Sequence, residues 1–586
     1  MTSIYAAPLL SSTLLSVGRI PIDTSPTSSP AHTTPSQLHT YIVGGVINAL
    51  DHGVVADGLE LADVSVTNAS NVINSVAYQF TAADVGKAIT IRNAATTTTA
   101  ISGFIGSTSS GSASLVTTQG GSTALNAGRT VSNLSAVFGT PNQTALANAG
   151  AAAAAKAAYT SLPCVVDMPT GIIVITDGIG ATSLVSWRGK GMRATVLKYL
   201  TPNMGAAVFN GLSGLYIDTR YEDFGIDQDD VILASYAVTK KAFYIQNMLR
   251  GVFRRLWLSG SPASCIGVDF LVDTFIQDNV IIDPGRLNTG QSGGAGVGIG
   301  VTDATVPQTN RYESIVCTGN QVYNSRKHAI FFETQSATLR AAGEYLIANN
   351  IVHMGPSAYS GIGDNGCTGL MIANNKITGE GAGSGISIRG GVSGSSPVGA
   401  EGLITANVIR NTAIGIEGSF ADGGGPATSA RYSINDNKIT GCTSPEGAVV
   451  IRTSATVGNP LSNMCLKDNE IYNCAGPAIA FVGTAPMKNV SISNLSAYNN
   501  GTAGSGIRSA VYVGVPIAGF RLSDCDLYDD KGSPTQTYGL EVAAGVAITD
   551  AIVSDNRFAG NLTGAVGLNS TGTITGTTSG NQGWAG

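Results

Sequence analysis

Asparagine recurs along this chain at a nearly constant spacing, and this recurrence limits the possible folds more than any other feature. Most successive members are separated by 25 to 32 residues. The asparagine column comprises Asn279, Asn320, Asn350, Asn375, Asn407, Asn437, Asn469, Asn494 and Asn556, with Cys525 in one position. A second, apolar column keeps the same spacing and comprises Phe243, Ile266, Ile299, Ile330, Ile362, Ile386, Ile416, Val449, Ile479, Val511, Leu540 and Val566. Two independent columns with one shared period predict a solenoid, in which each repeat forms one coil.

Short segments within each repeat indicate the type of solenoid. Runs such as MIANNKIT and AVVIRT alternate in polarity and are separated by Gly, Ser, Thr, Asn and Asp. Such runs are typical of strands and turns and are too short for pairs of helices. Successive coils then stack as parallel strands about 4.8 Å apart, and an inward asparagine can hydrogen-bond to the asparagine of the next coil. The prediction is an all-β chain dominated by a right-handed parallel β-helix.

The amino-acid composition agrees with this fold and excludes several functions. The 75 glycines suit many tight turns, and a hydrophobic content of 43% argues against disorder. A net charge of −6 disfavours nucleic acid as a partner. The eight cysteines include no Cys-x-x-Cys pair, which indicates buried free thiols. There is no run of 18 apolar residues, and no basic segment precedes the apolar stretch at residues 6–15, so we expect folding in a cytoplasm without membrane insertion.

The two columns cover only part of the chain, which predicts five segments. Residues 1–45 are rich in Ser, Thr and Pro, as in an attachment or adaptor segment. Residues 46–139 lack the period and predict a small β domain. A capping helix at 140–160 precedes the β-helix at 161–560, and a tail follows at 561–586.

The helix is predicted from its first residues and from its alanine content. Thr140 is the predicted N-cap, Pro141 the first helical residue and Gln143 the third, as in a capping box. The following ALANAGAAAAAKAAY has the strongest helix propensity in the chain. We expect this helix to cover the open N-terminal end of the solenoid, which would otherwise expose a sheet edge and an apolar interior.

The order of these segments resembles a known family. The motifs FTAADVGKAITI, FGTPNQTALANA and DMPTGIIVI, followed by asparagine-marked coils, resemble the pectate-lyase-like β-helix of bacteriophage tailspikes and capsule or exopolysaccharide depolymerases. The resemblance covers about residues 41–570, with Pro141 where the family often has an acidic residue. It implies a homotrimer that acts on a bacterial surface polysaccharide. The SQLHTYI segment resembles a virion linker, which implies attachment to a phage tail or baseplate protein and a place in the virion tail after synthesis in the host cytoplasm.

A third column predicts the site. The residue three places after each apolar marker faces outward, because side chains alternate along a strand. This outward column comprises Gln246, Asp269, Thr302, Glu333, Asn365, Arg389, Ser419, Arg452 and Val482. Its polar part, from Asp269 to Arg452, suits an elongated sugar chain that needs bidentate cations and hydrogen-bonding groups at fixed spacing. Asp303 and Asp364 lie one residue from the column. The predicted substrate-binding residues are Arg389, Asn365, Thr302, Asp303, His328, Arg326 and Arg452.

Three carboxyl groups are the predicted catalytic residues, because glycoside hydrolysis requires one protonated and one ionised carboxyl. Glu333 and Asp364 lie on adjacent coils, which places their backbones about 5 Å apart and suits a retaining enzyme. Asp269 lies two coils below Glu333, at about 10 Å, and suits an inverting enzyme. Separation alone does not choose between the two pairs. Burial beside two phenylalanines is expected to raise the pKa of Glu333, and Asp364, inside GIGDNG, also fits an Asx-turn.

Two other functions fit the same residues. A polysaccharide lyase would use His328 as base, with Arg326 and Arg389 neutralising a uronate carboxylate. A receptor-binding β-helix would bind the glycan without cleaving it. The acidic cluster at residues 222–230 has a composition that suits calcium but lacks the spacing of a dedicated loop. We predict no metal site and no cofactor.

Overall fold

Alternating apolar residues build three parallel sheets around one long apolar interior. The computed structural model describes residues 20–22, 31–33, 45–97, 99–200, 205–231, 236–237, 239–286, 294–301, 314–334, 344–367, 369–389, 401–420, 431–454 and 461–584. Within these residues the chain forms a parallel β-solenoid and a small antiparallel barrel near its N-terminus. The predicted fold class is therefore confirmed.

The first sheet of the solenoid has 16 strands, all paired in parallel. Its strands are Val46–Asn48, Cys164–Asp167, Val185–Arg188, Arg220–Glu222, Val252–Arg254, Thr274–Gln277, Ser314–Thr318, Glu344–Ala348, Leu370–Ala373, Glu401–Thr405, Arg431–Asn435, Leu461–Lys467, Met487–Ser493, Ile517–Ser523, Ala547–Ser554 and Thr573–Ser579. The sheet thus begins inside the segment expected to be a separate β domain and ends inside the expected tail. The solenoid is longer than residues 161–560 at both ends.

The second sheet has 14 strands, most of them three residues long. Its strands are Gly171–Ile175, Thr195–Tyr199, Gly225–Asp227, Trp257–Ser259, Val280–Ile282, Gln321–Ser325, Ile351–Met354, Lys376–Thr378, Val408–Arg410, Lys438–Thr440, Glu470–Tyr472, Ser496–Tyr498, Asp526–Tyr528 and Arg557–Ala559. Each strand follows its first-sheet neighbour after a corner of only a few residues. This corner is where the asparagine column lies.

The third sheet has 15 strands and carries the outward column predicted from the sequence. Its strands are Ile179–Gly180, Phe209–Gly211, Tyr216–Ile217, Phe243–Leu249, Ile266–Val272, Val297–Val301, His328–Thr334, Ser360–Asn365, Ser384–Arg389, Ile414–Phe420, Val449–Thr453, Ile479–Gly483, Val511–Val513, Tyr538–Val542 and Gly564–Leu568. The sheet also contributes much of the core, including the buried Ile330, Ile362 and Ile386.

Buried asparagines form a continuous hydrogen-bonded ladder at the corner between the first two sheets. From Asn279 to Asn469 each side-chain Nδ2 donates to Oδ1 of the next asparagine, at 2.8 to 3.1 Å. Each Oδ1 also accepts the preceding asparagine's backbone N–H, so the buried polar atoms are satisfied. The ladder resumes at Asn556, which donates to Asn581.

One member of the predicted asparagine column was wrong. Asn494 is exposed, with a φ of 51°, and the buried Leu495 fills the ladder position after it. The residue just before the ladder is left-handed in several coils, as at Asn349 and Asn374. Asparagine tolerates that conformation better than most residues. Asparagine therefore marks two neighbouring positions, and the sequence alone does not separate them.

The barrel packs against the N-terminal coils of the solenoid. Its strands are Leu59–Val66, Val72–Asn74, Ala88–Ile91, Ile101–Ser109, Ser112–Val116 and Val131–Gly139, in antiparallel pairing, and a 3-10 helix lies at Ala82–Asp84. Ala88 and Val137 of the barrel meet Val174 and Leu200 of the solenoid in a shared apolar cluster. A short antiparallel pair, Ile20–Ile22 with Ala31–Thr33, precedes the solenoid.

The α-helix spans Gln143–Thr160 and packs on the first coils. Its buried Leu146, Ala149, Ala153 and Ala157 join the solenoid core. The predicted N-cap was wrong, because Asn142 holds that position and Thr140 instead donates its backbone N–H and its hydroxyl to Asp57, both at 2.8 Å. A second 3-10 helix lies at Ala49–His52. No helix in the described part of the chain combines the length and apolar character needed to cross a membrane.

Candidate active site

The strand register aligns the polar residues of the third sheet into one outward column. Asp269 pairs with Gly300, Gly300 with Glu333, and Glu333 with Asn365. Asn365 pairs in turn with Arg389. In a parallel sheet, paired residues face the same side. Side chains that are far apart in sequence therefore lie next to one another on a rigid surface.

Gly300 holds the place in this column that the sequence assigned to Thr302. The apolar marker of this coil is Val297, which pairs with Ile266 and Ile330, and not Ile299. Both residues are buried, because they lie two positions apart on the same face of the strand. A slip of two residues keeps the apolar pattern intact, so the pattern did not reveal it. Thr302 and Asp303 lie outside the described residues.

A cleft with a volume of about 210 Å³ opens on this face of the third sheet. Three members of the outward column, Glu333, Asn365 and Arg389, line it. Its floor is the neighbouring outward column, and its end is formed by residues at the start of two strands or just before them. These further lining residues are Phe331, Gly363 and Ser387 on the floor, with Lys327, His328 and Tyr359 at the end, and the buried Asp364 is a lining residue as well.

Gly363 allows two ring side chains to pack closely on the floor of the cleft. A Cβ atom at this position would lie 2.7 Å from Cδ2 of Phe331 and 3.1 Å from Nδ1 of His328. Both distances are shorter than ordinary van der Waals contact, so a side chain here would displace the aromatic wall. The absence of a side chain therefore lets Phe331 and His328 pack directly on the backbone of Gly363.

Glu333 is partly buried and hydrogen-bonded to an amide, and a second carboxyl group lies two strands away on the same face. Nδ2 of Asn365 donates to Oε1 of Glu333 at 3.3 Å. Burial raises the pKa of Glu333, the charge of Asp269 raises it further, and the Asn365 hydrogen bond opposes both effects. A carboxyl with a raised pKa holds its proton at a higher pH than an exposed glutamate, as a general acid requires.

Asp269 is held in place by two N–H donors. Its Oδ1 accepts the backbone N–H of Gly300 at 3.1 Å, and its Oδ2 accepts from Nε2 of Gln246 at 3.2 Å. The two hydrogen bonds fix the orientation of the Asp269 carboxyl group. The two strand spacings from Asp269 to Glu333 correspond to about 10 Å between the backbones.

Two cations lie over an aromatic ring at the end of the cleft. The guanidinium of Arg389 is 4.9 Å from the ring centroid of Tyr359, and Nζ of Lys327 is 4.8 Å from it. Arg389 was predicted from the outward column. Tyr359 was missed, although it lies three residues before its apolar marker, as Lys327 does in the coil below. That shared offset was the available signal.

His328 lines the cleft as a neutral, immobilised ring. It is 4% exposed, stacks on Phe331 with centroids 4.2 Å apart, and its Nδ1 hydrogen-bonds Oγ of Ser360 at 2.7 Å. Burial lowers its pKa to about 3, and the charges of Lys327 and Arg389 add to this effect. The imidazole therefore contributes a neutral polar edge at neutral pH.

Asp364 does not form an acid/base pair with Glu333, and this part of the catalytic prediction was wrong. Asp364 pairs with the core residues Phe332 and Ile388 and is 1% exposed. Its Oδ1 accepts the backbone N–H of Cys367 at 3.1 Å. Because side chains alternate along a strand, a residue one place from the outward column faces the interior. Its carboxyl lies on the opposite side of the sheet from Glu333.

The buried Asp364 predicts a specific dependence of stability on pH. Burial raises its pKa from 3.8 to about 7, so the folded chain retains a proton that the unfolded chain has already released. The stability from this group is complete below pH 3.8 and is lost as the pH rises through about 7. Between these limits, the free energy of unfolding should fall by about 1.4 kcal/mol per pH unit.

Urea unfolding of wild type and Asp364→Asn across this pH range measures the effect. The variant should lack this part of the slope and should gain stability relative to wild type as the pH rises. Asp550→Asn is the control, because Asp550 is exposed and its left-handed backbone accepts asparagine. Equal slopes in wild type and Asp364→Asn would contradict the prediction.

Two predicted substrate-binding cations lie outside the cleft. Arg452 donates its Nε to Oε1 of Glu417 at 3.0 Å and its Nη2 to Glu446, so carboxylates already compensate its charge. Arg326 is not a lining residue, and its backbone N–H donates to the carbonyl of Pro284. The sequence pattern of the outward column continues to Arg452, but of these arginines only Arg389 lines the cleft.

The acidic cluster from Glu222 to Asp230 is paired with basic side chains. Nζ of the buried Lys198 lies 2.6 Å from carboxylate oxygens of both Asp227 and Asp230. The other ion pairs join Glu222 to Arg254, Asp223 to Arg255 and Asp230 to Arg92. These contacts fix the cluster against the solenoid and the barrel. Across the described ranges, no group of three or more His, Cys, Asp or Glu side chains is arranged to hold a metal ion.

Comparison with known proteins finds similarity of fold at low identity. No protein-family model and no curated protein sequence matches the chain. An α-1,3-glucanase from Streptomyces thermodiastaticus is 13% identical, with a TM-score of 0.42, over 91% of this chain and 90% of that chain. A mannuronan C-5 epimerase module from Azotobacter vinelandii is 13% identical, with a TM-score of 0.37, over 75% and 95%. A tailspike protein of an E. coli bacteriophage in complex with a pentasaccharide is 9% identical, with a TM-score of 0.42, over 74% and 77%.

Proposed function

We propose that this chain is an endo-acting polysaccharide hydrolase in which Glu333 is the general acid and Asp269 the general base. The observation that carries the proposal is the register of the third sheet. It aligns the two carboxyl groups on one outward face, with a glycine on the strand between them. Glycoside hydrolysis uses two carboxyl groups of this kind; Glu333 lines the cleft, and Asp269 lies two strands further along the same face.

The spacing of the pair favours an inverting reaction. Carboxyl groups of inverting glycosidases are about 6.5 to 9.5 Å apart, against about 5 to 5.5 Å in retaining enzymes. Two strand spacings correspond to about 10 Å between the backbones of Asp269 and Glu333. Gly300 has no side chain to fill the gap, which leaves room for the attacking water. In this reaction Glu333 protonates the leaving oxygen while Asp269 removes a proton from that water.

Other residues of the cleft suit the binding of sugar rings. Arg389 and Asn365 present N–H donors along the column that continues from Glu333. Tyr359 and Phe331 add aromatic surface to the same cleft. The outward column runs over five paired strands from Asp269 to Arg389, so several sugar rings of one chain can contact it on both sides of Glu333. This geometry supports cleavage within the chain.

The proposed biological setting is a phage tailspike that degrades a bacterial capsule or exopolysaccharide. The sequence motifs at the barrel, the helix and the first coils support it, together with the linker-like SQLHTYI. In this setting the protein is a homotrimer in the virion tail, attached to a tail or baseplate protein through residues 1–45. Multi-angle light scattering of the purified protein tests the trimer.

Product analysis tests the proposed reaction. We expect purified bacterial capsular and exopolysaccharides to include one whose chain length falls on incubation, with a matching rise in reducing ends and no new ultraviolet absorbance. Nuclear magnetic resonance of the first products should show inversion at the cleaved anomeric carbon. A protein that binds such a glycan firmly without shortening it would instead be a receptor-binding β-helix.

A polysaccharide lyase is the second candidate, because one observation favours it. His328 is kept neutral inside the cleft beside Lys327 and Arg389. A lyase needs an unprotonated base near cations that neutralise a uronate carboxylate. The reaction would leave an unsaturated sugar at each new non-reducing end. Strong ultraviolet absorbance of the products would therefore show that the reaction is elimination and not hydrolysis. Loss of that absorbance in His328→Ala would then assign the base.

A further inference from the structure

A buried lysine lies on the same outer face as the carboxyl pair. The side chain of Lys241 covers Gly267, since a Cβ on this glycine would lie 2.4 Å from Cδ and 2.7 Å from Nζ of Lys241. Gly267 pairs with Tyr244 and Gly298, in the outward column that continues into the floor of the cleft. Asp269 follows two residues later on the same strand and faces the same side. The ammonium group is therefore a neighbour of the proposed general base.

Lys241 is unusual because it has no carboxylate partner in the described part of the chain. It is 7% exposed, and its Nζ lies 4.0 Å from the ring centroid of Tyr244. Among the residues that the structure describes, no carboxylate oxygen lies within 4.0 Å of this nitrogen. Burial lowers its pKa, and the more distant charge of Asp269 opposes that effect. Burying an ammonium group beside an aromatic ring alone is costly.

A second buried lysine in the chain shows how this cost is met elsewhere. Lys198 is 1% exposed, and its Nζ lies 2.6 Å from both Asp227 and Asp230. Burial with two carboxylates at contact distance is the arrangement expected of a structural lysine. Lys241 is almost as deeply buried, but none of the carboxylates that the structure describes pairs with its three N–H donors. An anionic ligand would supply the missing partner.

We propose that Lys241 and Tyr244 form a subsite for an acidic sugar, and that the substrate of this site is a polysaccharide bearing carboxylate groups. This inference rests on the proposed function and names its substrate class. Lys241 contacts the carboxylate through a charge-assisted hydrogen bond, and the Tyr244 ring packs against the sugar. Such a carboxylate belongs to a uronic acid or to an acidic substituent on a neutral ring.

A second cationic position lies at the opposite end of the groove. Arg389 is four strands from Asp269 along the outward column, which corresponds to about 19 Å. The two positions flank the carboxyl pair, so a chain of several sugar rings with recurring negative charges can contact both. At the Asp269 end of the outward column, the charge of Lys241 offsets the repulsion between a bound carboxylate and Asp269.

Binding measurements on a catalytically blocked chain test the subsite. The probe is an array of purified acidic and neutral bacterial polysaccharides, and the protein is full-length Glu333→Gln, which keeps each glycan intact. We expect binding to acidic members, and we expect Lys241→Met in the same background to lower that affinity about tenfold or more. Lys240→Met is the matched control, because the adjacent Lys240 donates to the carbonyl of Gly205 on another coil.

A change in the glycan provides a measurement that no folding defect can affect. Reduction of the carboxylates of a bound glycan to primary alcohols should weaken binding to Glu333→Gln as much as Lys241→Met does, and the two changes together should add little. The same reduction leaves sulfate and phosphate esters intact. Undiminished binding would therefore show that Lys241 recognises an ester group, and the proposal of a carboxylate ligand would be overturned.

Three further results would overturn the subsite: binding confined to neutral glycans, no binding to any acidic glycan, or unchanged binding by Lys241→Met. Failure of the proposed hydrolysis has a different signature. Wild-type protein that binds acidic glycans through Lys241 but never shortens them would retain the subsite and remove the catalytic assignment.

Discussion

Glu333→Gln is expected to lower kcat for depolymerisation by about 10² to 10⁴-fold while the chain remains folded. Glutamine keeps the size of the side chain and its hydrogen bond to Asn365 but has no proton to give to the leaving oxygen. The initial rate at which new reducing ends form, measured at saturating polysaccharide, gives kcat. Because burial and Asp269 raise the pKa of Glu333, wild-type kcat should also decline as the pH rises through that pKa, and the variant should lack this limb.

Glu344→Gln is the matched control for this experiment. Glu344 is an exposed residue of the first sheet, and its variant removes the same charge from a different face of the solenoid. Its kcat should equal that of wild type. Circular dichroism and thermal unfolding should be unchanged in both variants. A Glu333→Gln protein with full activity would show that Glu333 is not the general acid. The polysaccharide lyase would then be the remaining candidate function.

Asp269→Asn is expected to lower kcat by a similar factor, about 10² to 10⁴-fold, for a different reason. Asparagine retains one acceptor for the N–H of Gly300 but has no negative charge with which to accept a proton from water. The residual rate should not recover at any pH, because the amide does not titrate. Asp550→Asn, which makes the same change at an exposed position, should leave kcat unchanged.

A substrate with a good leaving group separates the two roles. An aryl glycoside of the cleaved oligosaccharide releases a nitrophenolate, which departs without a proton from the enzyme. Glu333→Gln should hydrolyse this substrate at close to the wild-type rate, whereas Asp269→Asn should remain slow, because both substrates need an activated water. Equal losses in both variants on both substrates would contradict the assignment of acid and base.

The asparagine ladder and the apolar column were predictable because they follow from stacking itself. Equivalent residues of successive coils share one environment, so a corner that buries an amide in one coil buries it in the next. Asp269 and Glu333 were found in the same way, by counting from the apolar marker. The count failed at Thr302, where the true member is Gly300, because a shift of two residues leaves the inward pattern unchanged.

The amino-acid sequence by itself determined the repeat, the parallel solenoid and one polar face, because periodicity in a chain becomes alignment in a stack. Only the tertiary structure decided which of the three carboxyl groups share the outward face. Asp364 is one residue from the outward column, and that single step carries it through the sheet into the core. The contacts of Tyr359, Lys241 and Gly363 likewise involve residues of other coils. Their roles depend on the exact register and on the corners between strands, which no local pattern encodes.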